Sequence, residues 1–191
     1  MQAETEKNKI QKIINTFKTD LIQYAKHCLK IIDKQGKLIA LNLNAAQQQL
    51  DKQINEQYKK HGRVRILILK SRQTGISTYC QARGFWKTVS AQNQNAVVVS
   101  HLNESTKAIF GMVRNFYENL PHPLVTPDLK ESTSNSMAFT HGSRWRIATA
   151  RTGEVGRGWT TNYLHGSEVA FYPNADIIPG LLQTVPEAES E

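Results

Sequence analysis

The sequence predicts an α/β protein with a mainly parallel sheet flanked by helices and a helical extension at the N-terminus. Three observations lead there. Residues 64–69 and 96–100 are short apolar runs that read as strands buried on both faces. Each is followed by a longer stretch with helical spacing, and such alternation marks parallel strands joined by crossover helices. The first third of the chain carries apolar residues at helical intervals instead.

In chain order, apolar residues at 10, 13, 14, 17, 21, 22, 25, 28, 29 and 32 predict one helix with an apolar stripe and lysines opposite. Lys34-Gln35-Gly36-Lys37 breaks it. Asn44 is placed to cap a second helix that runs past Gln47-Gln48-Gln49 to Tyr58 and stops at His61-Gly62. Residues 64–69 form the first strand, 78–89 a helix, 96–100 a second strand and 104–120 a second helix halted by Pro121 and Pro123. The Pro, Ser and Thr of 121–135 predict loop, and 137–139 with 143–149 a hairpin around His141-Gly142. Gly153, Gly156 and Gly158 predict a mobile segment. Residues 162–166 read as a further strand and 175–185 as a last helix.

At 191 residues the chain suits one domain with a proper core, or one domain plus an appendage. No apolar run reaches the ~18–20 residues that span a bilayer, and the N-terminus lacks a signal peptide's apolar stretch, so the reading is intracellular. Cys28 and Cys80 lie far apart without a second ligand pair, which predicts free thiols. The net charge of +8 sits entirely in residues 1–70, with 14 Lys/Arg against 6 Asp/Glu. That excess suits a partner bearing phosphates or an acidic protein surface, or equally a solvated, lysine-rich helix face.

The tract Lys70-Ser71-Arg72-Gln73-Thr74-Gly75-Ile76-Ser77-Thr78 joins the first strand to its helix. A phosphate loop needs that setting, because backbone N–H groups and a helix N-terminus then face the anion. The pattern G-x-x-x-x-G-K-[ST] is half present. Gly75 is the second glycine and Ser77 the hydroxyl, but Lys70 replaces the first glycine and Ile76 the lysine. A lysine at the strand end can still reach phosphates on its flexible stem, with Arg72 as a second cation. The other reading is an ordinary strand–turn–helix with a basic turn.

Lys-Ser-Arg-Gln-x-Gly-Ile-Ser-Thr resembles the deviant Walker A loop of large terminase subunits of tailed bacteriophages. Leu43-Asn44-Ala45-Ala46-Gln47 resembles that family's glutamine motif, Val99-Ser100-His101 through Glu104-Ser105-Thr106 its next strand–helix, and Gly156-Arg157-Gly158 with Ser167-Glu168-Val169-Ala170-Phe171 the region of its Walker B. Leu181-Leu182-Gln183-Thr184-Val185-Pro186 resembles the helix beyond. The similarity is collinear over residues 40–186.

The resemblance implies a P-loop NTPase-like domain of the ASCE type over 41–191, after a basic helical segment over 1–40. It implies ATP and Mg²⁺ as cofactors, with Gln47 reading the adenine edge and residues 70–78 holding the phosphates. Glu168 takes the place of the catalytic carboxylate. Arg157 matches an arginine finger and Arg72 a similar group in cis, although either can be a simple phosphate or DNA contact. Ser77 and Ser167 would serve Mg²⁺ directly or through water, Ser167 standing where an Asp is usual. Trp86, Trp145 and Trp159 suit base stacking or packing, whereas His141 and His165 lack triad partners.

The function implied is a packaging ATPase that moves double-stranded DNA into procapsids, in the cytoplasm of a bacterial host. Its partners would be a small terminase subunit, the portal protein and further copies of itself in a ring, with no membrane. The family's coupling motif and nuclease domain find no counterpart, so the resemblance covers a C-terminally incomplete ATPase domain. A non-catalytic nucleotide-, DNA- or partner-binding module is the second reading and a helicase-like ATPase the third.

Overall fold

The computed structural model describes residues 2–121, 127–150, 158, 160–174 and 176–191, with side chains from residue 7 onward. The N-terminal stripe is two helices, not the single one expected. α1 (Gln2–Thr19) ends at Asp20, whose extended backbone (φ −127°) starts α2 (Leu21–Cys28). The Asp20 carboxylate accepts the Gln23 N–H at 3.0 Å, a capping bond that favours a new helix start over continuation. α1 leaves Ile10 and Ile13 exposed, while α2 buries Leu21, Tyr24, Ala25 and Cys28. A hairpin of β1 (Lys30–Ile32) and β2 (Leu38–Ala40) follows, its turn held by Asp33 accepting from the Gln35 and Lys37 N–H groups.

α3 (Ala45–His61) begins at Asn44 and ends at Gly62, as the sequence predicts. α4 (Ile76–Ser90), β3 (Asn95–Ser100) and α5 (Asn103–Glu118) also match their expected places. β4 (Leu129–Ser132), β5 (Ser136–Phe139), β6 (Arg144–Thr149) and β7 (Tyr163–Gly166) complete a five-stranded sheet in the order β4-β5-β6-β3-β7. β3 runs parallel to β6 and β7, but β5 is antiparallel to both β4 and β6. The sheet is therefore mixed, not mainly parallel: tight turns within 129–149 allow only antiparallel neighbours. β4 lies where loop was expected. It is a polar edge strand, with Lys130, Glu131 and Ser132 exposed, and so lacks the apolar alternation that would announce it.

Both faces of β3 are covered, which explains its continuous apolar run. Val98, Trp145 and Ile147 join the larger core beneath α2, α4 and α5; Val97 and Val99 pack with Ala150 and Leu181 on the other face. β7 approaches α4 so closely that a Cβ on Gly84 would stand 2.6 Å from the Tyr163 ring. The last helix, α6 (Ile177–Leu182), is shorter than expected, since Pro179 and Gly180 are poor helix formers.

The main correction concerns residues 64–69. They are extended but join no sheet among the described residues; Val64 is buried, whereas Leu67 and Leu69 are 80% and 93% exposed. Residues 189–191 lie between this segment and β7. Val64 N–H donates to the Ser190 carbonyl (2.9 Å) and Glu189 N–H to that of Gly62 (2.8 Å). On the other side Glu191 N–H donates to Asn162 O (2.8 Å) and Leu164 N–H to Glu191 O (2.7 Å). Residues 189–191 thus take the place beside β7, and the start of the expected strand bonds to them instead.

A buried ionic cluster fixes the same junction. Arg83 donates to Asp51 of α3 at 2.9 Å and through two nitrogens to Glu191 at 2.6 and 2.9 Å, with Lys87 2.8 Å from the same carboxylate. Burial disfavours the Glu191 charge, but the Arg83 bonds and the two cations outweigh it and lower its pKa.

Candidate functional site

Residues 71–75 turn between the extended segment and α4. The turn uses two left-handed residues, Gln73 (φ 62°) and Gly75 (φ 75°). No side chain caps α4, so the N–H groups of its first turn remain available to an anion at the positive end of a 15-residue helix. Lys70, Ser71, Arg72 and Gln73 are exposed around that end; Thr74, Ser77 and Thr78 are half-buried, and Ile76 is buried in the core. The Lys34 ammonium, 3.4 Å from Gln73 Oε1, brings a further cation to the loop.

Lys70 also lies near the end of β7. Burial and then the Lys70 charge hold the His165 imidazole down at about 4. Burial pushes the Cys80 thiol up to about 12, with Lys70 opposing. Neutral His165 lies 3.0 Å through Nδ1 from Gln81 Nε2. Cys28 and Cys80 are both buried free thiols.

The chain beyond β7 brings up the candidate carboxylate. Ser167 is buried and its N–H donates to Val99 O at 2.8 Å. Glu168 is left-handed (φ 57°), a rare conformation for a residue with a side chain and one that recurs at functional sites. Its Oε2 is 2.9 Å from His101 Nδ1, and the His101 ring packs on Phe171 at 5.5 Å. His101 is the neighbour of the carboxylate that sequence reasoning missed. Nothing in its local sequence signals this, because the two meet only when β3 and β7 pair.

Gln47 is 3% exposed and touches the loop directly: its Nε2 donates to the Gly75 carbonyl at 2.7 Å. Asn44 Nδ2 donates to the Thr74 carbonyl at 3.1 Å. The structure therefore joins Gln47 to the loop through Gly75 and brings Lys70 near His165, on the strand that leads to Ser167 and Glu168. Arg157, Arg151 and Trp159, with Gly153 and Gly156, lie outside the described residues. Trp145 is fully buried and Trp86 donates to the Phe17 carbonyl, so both pack. No group of three or more His, Cys, Asp or Glu among the described residues is arranged to hold a metal ion. No helix among them is long and apolar enough to cross a membrane.

The mixed sheet, its flanking helices and the loop before α4 define an α/β fold. One solved structure it resembles is that of the HK97 bacteriophage large terminase, with a TM-score of 0.68 over 87% of this chain at 12% identity. The chain spans 34% of that protein's length. No protein-family model and no curated protein sequence matches the chain.

Proposed function

We propose that the chain is the nucleotide-binding ATPase part of a viral DNA-packaging motor, built as a P-loop domain of the ASCE type. The observation that carries this reading is the uncapped N-terminus of α4, bordered by Lys70 and Arg72, on a helix that meets β7 through Gln81 and His165. The likeness of fold to the HK97 large terminase supports it. The α4 N–H groups, Lys70 and Arg72 would hold the phosphates of ATP. Ser77 and a water on Ser167 would hold Mg²⁺, leaving the phosphate oxygens to supply most of its ligands. The bound ion would neutralise charge on the transferred phosphoryl group. Glu168, released from His101, would orient the attacking water. Arg157 would act on a neighbouring copy in a ring, and double-stranded DNA, a small terminase subunit and the portal protein would be the partners.

One observation favours a binding module without turnover. Ser167 brings no charge to the metal, and Glu168 Oε2 lies 2.9 Å from His101 Nδ1. Titration with MgATP and a phosphate-release assay separate the two. Lys70→Ala is expected to weaken MgATP binding about tenfold or more, and Glu168→Gln to bind like the parent while losing turnover. Unchanged binding in Lys70→Ala would remove the loop from the site. Turnover at parental level in Glu168→Gln would remove the carboxylate. A parent that binds but never hydrolyses is the binding module.

A further inference from the structure

The start of α3 is tied to the end of the loop by two side chains. Asn44 and Gln47 form a capping box: Gln47 N–H donates to Asn44 Oδ1 at 3.0 Å and Asn44 N–H to Gln47 Oε1 at 2.8 Å. Each carboxamide then has its NH₂ group left, and both donate to the loop, Asn44 to Thr74 O at 3.1 Å and Gln47 to Gly75 O at 2.7 Å. The Gly75 carbonyl also accepts the first helical bond of α4, from Tyr79 N–H at 3.0 Å. Gln47 therefore holds the point at which α4 begins. A Cβ on Gly75 would stand 2.8 Å from Gln47 Nε2, so the contact needs glycine there. One turn further along α3, buried Asp51 accepts from the Tyr79 hydroxyl (2.8 Å) and from Arg83 (2.9 Å), locking the same two helices again.

We propose that Gln47, with Asn44, is a positioning residue that sets the direction of the loop's N–H groups and does not select the base. The proposal rests on the reading of 70–78 as a triphosphate site. A carboxamide that reads an adenine edge must offer that base both its oxygen and its NH₂ group. Here the oxygen accepts the Asn44 N–H and the NH₂ group donates to Gly75 O, which leaves each one further lone pair or hydrogen. The side chain is only 3% exposed, however, so a base reaches neither while the side chain stays in this seat. Reading a base would require breaking the cap of α3 and freeing the start of α4 together. The site then recognises the triphosphate, and this side chain leaves the base unread.

The test measures binding of MgATP, MgGTP and magnesium tripolyphosphate by calorimetry, and amide exchange at Tyr79 without ligand. Gln47→Glu keeps an oxygen for the Asn44 N–H and removes the donor to Gly75. The parent is expected to bind ATP and GTP within about threefold of each other. Gln47→Glu should weaken all three ligands alike, by about tenfold, and speed exchange at Tyr79, whose N–H bonds to Gly75 O, while β3 amides stay protected. A parent that prefers ATP by more than about tenfold, with only that preference erased in Gln47→Glu, would overturn the proposal. So would unchanged exchange in the variant. A parent that binds none of the three would defeat the triphosphate reading, and ligand-free exchange alone would then judge the clamp. Should Gln47→Glu fail to fold, Asn44→Asp keeps the cap and loses only the bond to Thr74. It is expected to weaken the three ligands equally and speed the same amide, and a loss confined to ATP, or unchanged exchange, would count against the clamp.

Discussion

His165 shows how a single half-buried side chain near the loop ties stability to pH. Its pKa falls from the ordinary ~6.5 to about 4, by burial first and the Lys70 charge second. The unfolded chain therefore binds a proton between those two values that the folded chain does not. Stability is full above about pH 6.5 and is lost as pH falls toward 4. His141, lowered by burial, adds in the same direction. Glu191, lowered chiefly by Arg83, contributes stability that is lost only once pH falls below the usual carboxylate range. Urea unfolding at pH 7.5 and 5.0 should thus differ by about 1 kcal/mol, roughly half of what the full shift would give because the ring is partly exposed. His165→Gln, which can still accept from Gln81, should remove most of that difference. An equal slope in the variant would assign the pH dependence elsewhere.

Among the elements, residues 64–69 and α3 make opposite lessons. Apolar content marks 64–69 as a strand, yet pairing is a property of neighbours, and residues 189–191 hold it away from β7. Within this chain the two exposed leucines consequently contribute little. Leu67→Lys with Leu69→Lys should change unfolding free energy by no more than about 0.5 kcal/mol. Val64→Lys, at a 6% exposed position, should cost about 3 kcal/mol or more, because it buries an unpaired charge. Denaturant unfolding of the two variants checks both, and a large loss in the double-leucine variant would show that the segment is packed as a true core strand. The start and stop of α3, in contrast, were legible, since Asn44, Gln47 and Gly62 act within their own neighbourhood. The same spacing, Asn44 then Gln47 three residues on, was the available signal for the capping box. Its second contact, to Thr74 and Gly75, was hidden because it bridges distant parts of the chain.

For the molecule as a whole, the basic N-terminal region divides at Asp20. α1 is linked chiefly through Phe17, whose ring packs near Tyr24 and whose carbonyl accepts from Trp86. α2 instead supplies Leu21, Tyr24, Ala25 and Cys28 to the common core. Removing residues 1–19 should leave a folded protein with a lower melting temperature. Removing 1–28 should abolish the cooperative transition, since each large buried side chain contributes about 1.5–3 kcal/mol against a net stability of about 5–15 kcal/mol. Thermal melts by circular dichroism decide it, and a cooperative melt in the shorter chain would show that α2 is an appendage. The mixed sheet belongs to this scale too. Strand existence could be read for β3, β5, β6 and β7 from apolar runs and alternation, but β4 could not, because an exposed edge selects for polarity.

By itself the sequence determined the α/β class, the position of α4 behind a basic, glycine-ended turn, and the order in which Gln47, Lys70 and Glu168 occur. Those follow from local periodicity, capping and turn chemistry, which a few adjacent residues control. Only the tertiary structure decided that Gln47 is buried against Gly75, that Glu168 faces His101, and that Lys70 lies near His165. Each joins segments brought together by strand pairing and helix packing, and long-range contacts leave no local pattern in the chain. The loop could be located from its residues; what its neighbours do to it had to come from the fold.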